Sequence, residues 1–184
     1  MFNKDFDING EPAEHLKYLC ELRTNVPNRE QYDNFKIFHS YVDAYVLCPL
    51  IGYKYSIRVP MGLAKDGSAG ILTEALTSRF QELKFVYQII MLIDAESEPD
   101  VEKRVYRAFN LSEETDDEKE FVKANMKIFN EYFLGGVEVL YEDFVLKCTE
   151  KDEYLRALAK FVNNYDRDNN IEKLNIKINE YLNQ

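Results

Sequence analysis

Apolar residues recur every three or four positions over residues 120–147, and this spacing predicts the main helix of the protein. Gly135 and Gly136 interrupt the stripe, and each glycine costs a helix roughly 1 kcal/mol relative to alanine. We therefore expect a packing feature at this pair: a close helix crossing, a kink or a break between two helices. The stripe consists of Phe121, Met126, Phe129, Phe133, Val137, Leu140, Phe144 and Val145.

The same period predicts helices on both sides of this segment, and Pro49 is expected to end one of them because proline disrupts a helix interior. The most apolar of these stripes, over residues 71–95, predicts a central core helix. The predicted helices cover residues 12–23, 29–48, 71–95, 100–109, 120–147 and 153–165, followed by a C-terminal amphipathic helix within residues 166–184 that packs on the domain or pairs with another chain.

Residues 53–59 change to a period of two, with Tyr53, Tyr55, Ile57 and Val59 alternating with polar side chains. This alternation predicts a short strand or extended arm. The predicted fold is therefore mainly α: a single-domain bundle of about six to seven helices over residues 1–184, with residues 1–11 as an N-terminal arm and an extended or β-arm near residues 53–59.

This arm is the one locally basic stretch of the chain, because Lys54, Arg58 and Lys65 follow one another with few acids between them. Together with Tyr53 and Tyr55 as stacking platforms, these bases form the candidate contact for an anion or a nucleic acid. An ordinary exposed arm and loop accounts for the same residues. The loop over residues 63–70 lacks the Gly-Lys-Ser/Thr ending of a P-loop, so nucleotide binding is not predicted.

Charge opposes a nucleic-acid role for the whole chain. The 33 acids and 23 Lys and Arg residues give a net charge of −10 at pH 7, whereas a phosphate backbone is held by clustered bases. Residues 111–153 alone hold 13 acids and five lysines. This concentration predicts either a solvated acidic face or a docking surface for a basic partner.

Candidate chemistry is sparse. Glu131, Glu138 and Glu142 lie on or near one predicted helix, but metal-binding carboxylate bundles need a Glu-x-x-His pattern that neither histidine provides. His39 and Asp43 are four residues apart, so they are able to meet on one helix face. With no nucleophile beside them, neither an enzyme nor a cofactor or metal is predicted.

The three cysteines, Cys20, Cys48 and Cys148, are far apart and lie in or beside apolar runs. We expect them to be reduced and mostly buried, as in a cytoplasmic protein. The sequence contains no run of 18 apolar residues, so no membrane span is predicted. The first ten residues lack the basic and apolar parts of a signal peptide. A cytoplasmic location is therefore expected.

Two motifs carry a family resemblance. LIGYKYSIRVP over residues 50–60 follows the helix that holds residues 35–38, and FNEYFLGGVEVL covers residues 129–140. This pairing resembles small proteins associated with bacterial Dnd loci, which encode DNA phosphorothioation defence systems. The similarity covers about residues 28 to 146, and Ser56 and Ile57 stand where that pattern has a glycine and a basic residue. The resemblance implies a place in bacterial antiviral defence and no particular reaction.

Three functions follow as hypotheses. The favoured one is a non-enzymatic accessory protein that binds a protein partner or its own copy, because long aromatic faces accompany an acidic region. The alternative is a nucleic-acid-binding module that uses the basic aromatic arm, residues 53–65. The third is an enzyme that acts through the carboxylates of the main helix.

Overall fold

The structure is a computed structural model that describes residues 1–22, 29–61, 68–110 and 112–168. Most of these residues are helical, and two short strands form one antiparallel pair. The predicted mainly α fold class is confirmed. The chain forms two compact units, one comprising Met1–Glu142 and the other beginning at Asp143. The single-domain organisation stays a prediction.

The strands are β1 (Phe6–Asn9) and β2 (Ser68–Ile71). The helices are α1 (Glu11–Leu19), α2 (Tyr41–Lys54), α3 (Thr73–Ser78), α4 (Phe80–Ile93), α5 (Val101–Phe109), α6 (Asp116–Tyr141) and α7 (Lys151–Asp168). A 3-10 turn covers Arg29–Tyr32, and a π-helical turn covers Glu142–Leu146.

Helix α6 begins at a capping box, in which Thr115 Oγ1 accepts a hydrogen bond from Glu118 N and the Glu118 carboxylate accepts one from Thr115 N. This reciprocal pair satisfies amide groups that the first turn leaves without helical partners. The helix continues through Gly135 and Gly136, so the glycine pair does not divide it. After Tyr141 the chain passes into the π-helical turn.

The glycine pair serves a close crossing of α2 and α6. A Cβ atom added to Gly136 would lie closer than 3.0 Å to the backbone of Cys48 in α2. A Cβ atom on Gly52 of α2 would meet the backbone of Tyr132 in α6 equally closely, and one on Gly135 would meet Ile57. The packing gained by this approach offsets the low helix propensity of glycine.

Helix α2 differs from its prediction at both ends. It begins at Tyr41, where the Ser40 side chain accepts a hydrogen bond from Asp43 N. The preceding residues form the 3-10 turn over Arg29–Tyr32 and then an irregular segment, in which Phe38 forms a bridge with Cys20. Pro49 lies inside the helix and does not end it. Proline removes one intrahelical hydrogen bond, but buried packing of α2 against α6 holds the helix on both sides of it.

Of the extended or β-arm predicted near residues 53–59, the strand does not form. Tyr53 and Lys54 form the last turn of α2, and Ser56 then adopts a φ of 55°, in the left-handed region. From Ile57 the chain has no regular secondary structure and does not join the sheet, and Val59 N donates to Glu131 O at 3.0 Å. The alternating pattern arises from a helix end followed by an irregular segment.

The sheet forms from segments that were predicted as the N-terminal arm and a loop. β1 and β2 pair antiparallel, with Phe6 opposite Ile71 and Asn9 opposite Ser68. Ile8 and Ile71 are buried and direct this pair towards the core. The arm over residues 1–11 thus contains β1 and the start of α1.

The predicted helix over residues 71–95 is divided into α3 and α4 around Arg79. Two hydroxyls bond back to the backbone just before the division: Thr77 Oγ1 donates to Thr73 O and Ser78 Oγ donates to Ala75 O, both at 2.8 Å. Such bonds compete with regular helix geometry.

An aromatic cluster fills the core of the first unit. The Tyr45 ring packs edge-on against Phe2, Phe129 and Phe133, and it stacks on Phe6 with the centroids 4.9 Å apart. Residues from the N-terminal arm, α2 and α6 thus share one apolar centre, and edge-to-face pairs of this kind add stability beyond their buried area.

In the second unit the Phe144 ring packs against Tyr154 and Phe161 of α7. Residues 169–184, which include most of the predicted C-terminal amphipathic helix, lie outside the described residues. In the described parts of the chain, no helix combines the length and apolarity that crossing a bilayer requires.

Candidate functional site

The residues predicted to contact an anion are brought together in part. Tyr53 lies at the end of α2, where its hydroxyl donates to Ile93 O at 2.8 Å and its ring packs edge-on against Tyr132 at 5.6 Å. Tyr55 follows in the turn and is partly exposed. Lys65 lies outside the described residues.

Arg58 is held by α6 and the turn after α4. Its guanidinium forms an ion pair with Glu131, donates to Ser97 Oγ at 2.9 Å and lies 5.4 Å from the centre of the Tyr132 ring. Burial opposes the charge of Arg58, but the hydrogen bond and the charge of Glu131 outweigh it and raise the pKa of Arg58. The positive charge is therefore balanced within the protein.

A cavity of about 340 Å³ opens beside this cluster and includes two of the predicted residues, Tyr53 and Lys54. Its lining carries charges of both signs, since Lys54 faces the same space as Asp94 and Glu96. The remaining lining residues are Ser56, Ala95 and Tyr132. Such a mixed lining gives no net attraction for an anion.

A buried polar chain runs from this cluster to α5. Tyr132 Oη donates to Asp94 Oδ1 at 3.0 Å, and Asp94 Oδ2 pairs with Arg107 Nη2 at 3.5 Å. Arg107 Nε in turn donates to Asn125 Oδ1 of α6 at 3.1 Å. Because Asp94 is fully buried and Arg107 nearly so, breaking this pair would leave an uncompensated charge inside the protein.

The pKa values of this chain follow from its contacts. Burial alone would raise the pKa of Asp94, but hydrogen bonds from Ser97 and Tyr132 and the charge of Arg107 hold it below its usual value. Burial and the neighbouring Asp94 carboxylate raise the pKa of Tyr132. Burial also raises the pKa of Tyr87, whose hydroxyl donates to Arg107 O, to about 12. Asp94 is therefore ionised and both phenols are neutral at pH 7.

Helix α5 packs with its polar side inward. Arg107 and Ala108 are buried, and the Arg104 guanidinium donates to the backbone carbonyls of Leu92, Glu98 and Pro99. The apolar stripe of α5 consists of Val101, Val105 and Phe109, which are spaced four residues apart. In an amphipathic helix such a stripe normally faces the core. Here that stripe is turned towards solvent.

The exposure is large for apolar side chains. Val101 is 63% exposed, Phe109 is 59% exposed and Tyr106 is 55% exposed. Single exposed apolar residues are common on soluble proteins, but several on one helix make that side of α5 a candidate interaction surface. Two arginines explain this orientation of α5. Arg107 is held inward by its ion pair with Asp94, and Arg104 by its hydrogen bonds to backbone carbonyls.

Helix α4 forms a helical hairpin with α5. Leu92 of α4 accepts from Arg104, and Tyr87 donates to Arg107, so the two helices run antiparallel. Phe85 is 63% exposed and Ile93 is 40% exposed, although α4 is apolar on most of its surface. We call these exposed side chains of α4 and α5 the α4–α5 apolar face: Phe85, Ile93, Val101, Val105, Tyr106 and Phe109.

The candidate carboxylates of the main helix do not share a site. Glu131 pairs with Arg58, whereas Glu138 binds His15 Nδ1 at 2.8 Å. The His15 ring is nearly buried and stacks on Tyr141 with the ring centroids 3.7 Å apart. His15 therefore ties α1 to α6. Among the described residues, no group of three or more His, Cys, Asp or Glu side chains is arranged to hold a metal ion.

His39 and Asp43 do not pair. The exposed imidazole of His39 lies 2.7 Å from Glu21 instead, and Asp43 accepts from Ser40 and Arg79. Cys20 and Cys48 are free and buried, and burial raises the pKa of both thiols. Their thiolates are correspondingly rare at neutral pH, so these cysteines are poor nucleophiles.

The α4–α5 apolar face was not predicted from the sequence, although the helix over residues 100–109 was. A signal was present: Val101, Val105 and Phe109 share one side of the helix, whereas Arg104 and Arg107 lie on another. Periodicity predicts which residues share a face, but it does not show which face meets the core. That choice depends on Asp94, which lies outside α5 in the sequence and pairs with Arg107 in the folded protein.

The fold defines a mainly α protein with a small antiparallel sheet. A family model described as DNA sulphur modification system-associated protein 4 matches residues 28–177, and the chain belongs to this family. This match confirms the predicted association with Dnd systems and extends it beyond the two motifs that suggested it. No curated protein and no solved structure matches the chain.

Proposed function

We propose that this protein is a non-enzymatic accessory protein of a DNA sulphur modification system, which it joins by docking onto another protein through the α4–α5 apolar face. The observation that carries the proposal is the orientation of α5. Its apolar stripe faces solvent while Arg107 is buried against Asp94. Family membership supplies the system in which the partner is sought.

The energetics of α5 support a docked state. Burial of a large apolar side chain stabilises a protein by about 1.5–3 kcal/mol. In the isolated protein Val101 and Phe109 are exposed, so they contribute little of this stabilisation. The Asp94–Arg107 pair instead holds the helix at the expense of two desolvated charges. A partner that covers the face would recover the burial that the fold leaves unused.

The chemistry of the other sites supports the non-enzymatic part of the proposal. The carboxylates Glu131 and Glu138 are engaged by Arg58 and His15 on different elements. The thiols of Cys20 and Cys48 are buried with raised pKa values. The two carboxylates tie separate elements together, and the imidazole that Glu138 binds is itself nearly buried.

The nucleic-acid alternative stays a prediction with weaker support. Arg58 is paired with Glu131, and Tyr53 packs against Tyr132. A low-salt DNA mobility shift tests this alternative. Binding that is lost when Lys54 and Lys65 are changed to alanine would favour the arm over the α4–α5 apolar face.

Co-expression with the other proteins of a DNA sulphur modification system tests docking. The variant Val105→Gln/Phe109→Gln removes two apolar side chains while keeping helix-forming residues at those positions. The matched control is Leu47→Gln/Leu72→Gln, which changes two exposed leucines on other parts of the surface. We expect the wild type and the control to co-purify with a component of the system and the face variant to lose it.

A further inference from the structure

The charges around the α4–α5 apolar face indicate what covers it. Glu96, Asp100 and Glu102 lie in the turn before α5 and in its first turn, and all three are exposed. Further acids follow α5, where Glu114 and Asp117 are exposed as well. The segments that precede and follow α5 in the sequence therefore both present exposed acids.

The bases of α5 do not offset this charge. Arg107 is buried against Asp94 and Asn125, and Arg104 is bound to three backbone carbonyls. Lys103 is the base of α5 that remains exposed. The inward turn of the two arginines thus has two effects: it exposes the apolar stripe, and it leaves the surroundings of that stripe acidic.

We propose that the occupant of the α4–α5 apolar face is a basic amphipathic helix of the partner protein, an inference that rests on the proposed function. The ridge formed by Val101, Val105 and Phe109 spans two helical turns, which suits packing against the groove of another helix. Apolar residues of the partner cover this ridge. Its Lys and Arg residues pair with the surrounding acids.

A second copy of the chain does not fit this face. Two copies docked face to face would bring Glu102 and Asp100 of one against the acids of the other, and the whole chain carries a net charge of −10. Like charges brought together in this way oppose association, whereas opposite charges favour it and speed encounter. The charge pattern therefore selects a different, basic partner.

Two model peptides of about 18 residues, long enough for five helical turns, test this inference. One has leucines on one helical face and lysines on the other, and its counterpart has glutamates in place of the lysines. Labelled peptides are titrated with the full-length protein and followed by fluorescence anisotropy. We expect the lysine peptide to bind at least about tenfold more tightly than the glutamate peptide, a difference that opposite charges readily supply.

Three variants separate the contributions. Val105→Gln/Phe109→Gln should weaken binding of the lysine peptide about tenfold or more, since two buried apolar contacts are lost. Glu96→Gln/Glu102→Gln should weaken it several-fold and reduce its dependence on salt. Glu30→Gln/Glu74→Gln removes the same charge from other elements and should leave binding unchanged. Equal binding of both peptides would overturn the inference. Equal effects of Glu96→Gln/Glu102→Gln and Glu30→Gln/Glu74→Gln would also overturn it.

Failure of this inference is distinguishable from failure of the proposed function. If a co-expressed component is lost with Val105→Gln/Phe109→Gln but the lysine peptide binds no more tightly than the glutamate peptide, the docking face stands and the basic helix is wrong. If light scattering shows a dimer of the wild type that the face variant abolishes, the occupant is a second copy and the inference is also wrong.

Discussion

Asp94 holds several elements of the first unit together through one carboxylate. It accepts hydrogen bonds from Tyr132 of α6 and from Ser97 of the following turn, and it pairs with Arg107 of α5. A buried acid with three partners stabilises the fold only while it is charged. Its effect therefore depends on pH.

The lowered pKa of Asp94 sets the direction of this dependence. A carboxylate whose pKa is lower in the folded state contributes stability above its unfolded pKa, about 3.9, and loses it as pH falls through the folded value. We expect Asp94→Asn to lower the free energy of unfolding by about 2 kcal/mol or more at pH 7, since Arg107 loses a charged partner. The difference from wild type should shrink below about pH 4.

Urea denaturation between pH 7 and pH 3 measures this difference. Glu120→Gln is the matched control, because Glu120 pairs with Lys123 in an exposed i,i+3 contact, and such surface pairs contribute little. A penalty for Asp94→Asn that stays constant down to pH 3 would contradict the role of the charge.

Gly136 is the residue where the crossing of α2 and α6 tolerates no side chain. Alanine has the higher helix propensity, yet its Cβ would lie closer than 3.0 Å to the Cys48 backbone, and backbone cannot move aside as a side chain can. We expect Gly136→Ala to destabilise the protein by about 2 kcal/mol or more. Thermal or urea denaturation measures this change.

Gly70→Ala provides the comparison for this substitution. The added Cβ would lie 3.4 Å from Asp7 Oδ1, an ordinary contact. A Gly136→Ala protein as stable as the Gly70→Ala protein would show that the two helices have room to separate.

At the scale of elements, the structure separates what periodicity predicts from what it does not. The stripe in residues 120–147 predicted α6, and the glycine pair predicted a packing feature that proved to be the crossing with Gly52. These predictions succeeded because a long amphipathic pattern depends on many residues at once. Helix α5 was also predicted, but its orientation rests on one ion pair with Asp94.

Short patterns failed where tertiary contacts outweighed them. Residues 53–59 alternate as a strand does, yet α2 continues to Lys54, because its glycine-lined contact with α6 holds it helical beyond Pro49. The strands form instead at residues 6–9 and 68–71, where four residues each were too few for a clear period. The candidate site over residues 53–65 was predicted from its bases and two tyrosines, and the pairing of Arg58 with Glu131 cannot be read from the sequence.

The orientation of α5 makes a prediction about stability that is independent of any partner. Because Val105 and Phe109 are exposed, Val105→Gln/Phe109→Gln should change the free energy of unfolding by no more than about 0.5 kcal/mol. Leu83→Ala, at a fully buried position of α4, should cost about 2–5 kcal/mol. Urea denaturation of both variants decides the matter, and a loss of 2 kcal/mol or more from the glutamine pair would place the stripe in the core.

At the scale of the whole molecule, an acidic protein presents an apolar face on one helical hairpin. The net charge of −10 opposes association between copies and would favour the basic partner that we propose. Location in the cytoplasm and a role in antiviral defence stay predictions. Membership of a family associated with DNA sulphur modification limits the search for that partner to one system.

Co-purification with the other proteins of that system is the measurement that tests docking most directly. Wild type, Val105→Gln/Phe109→Gln and Leu47→Gln/Leu72→Gln are compared at equal expression and equal stability. We predict that one component of the system co-purifies with the wild type and the control and is lost from the face variant. Retention of that component by the face variant, or its absence from all three proteins, would show that the protein does not dock through the α4–α5 apolar face.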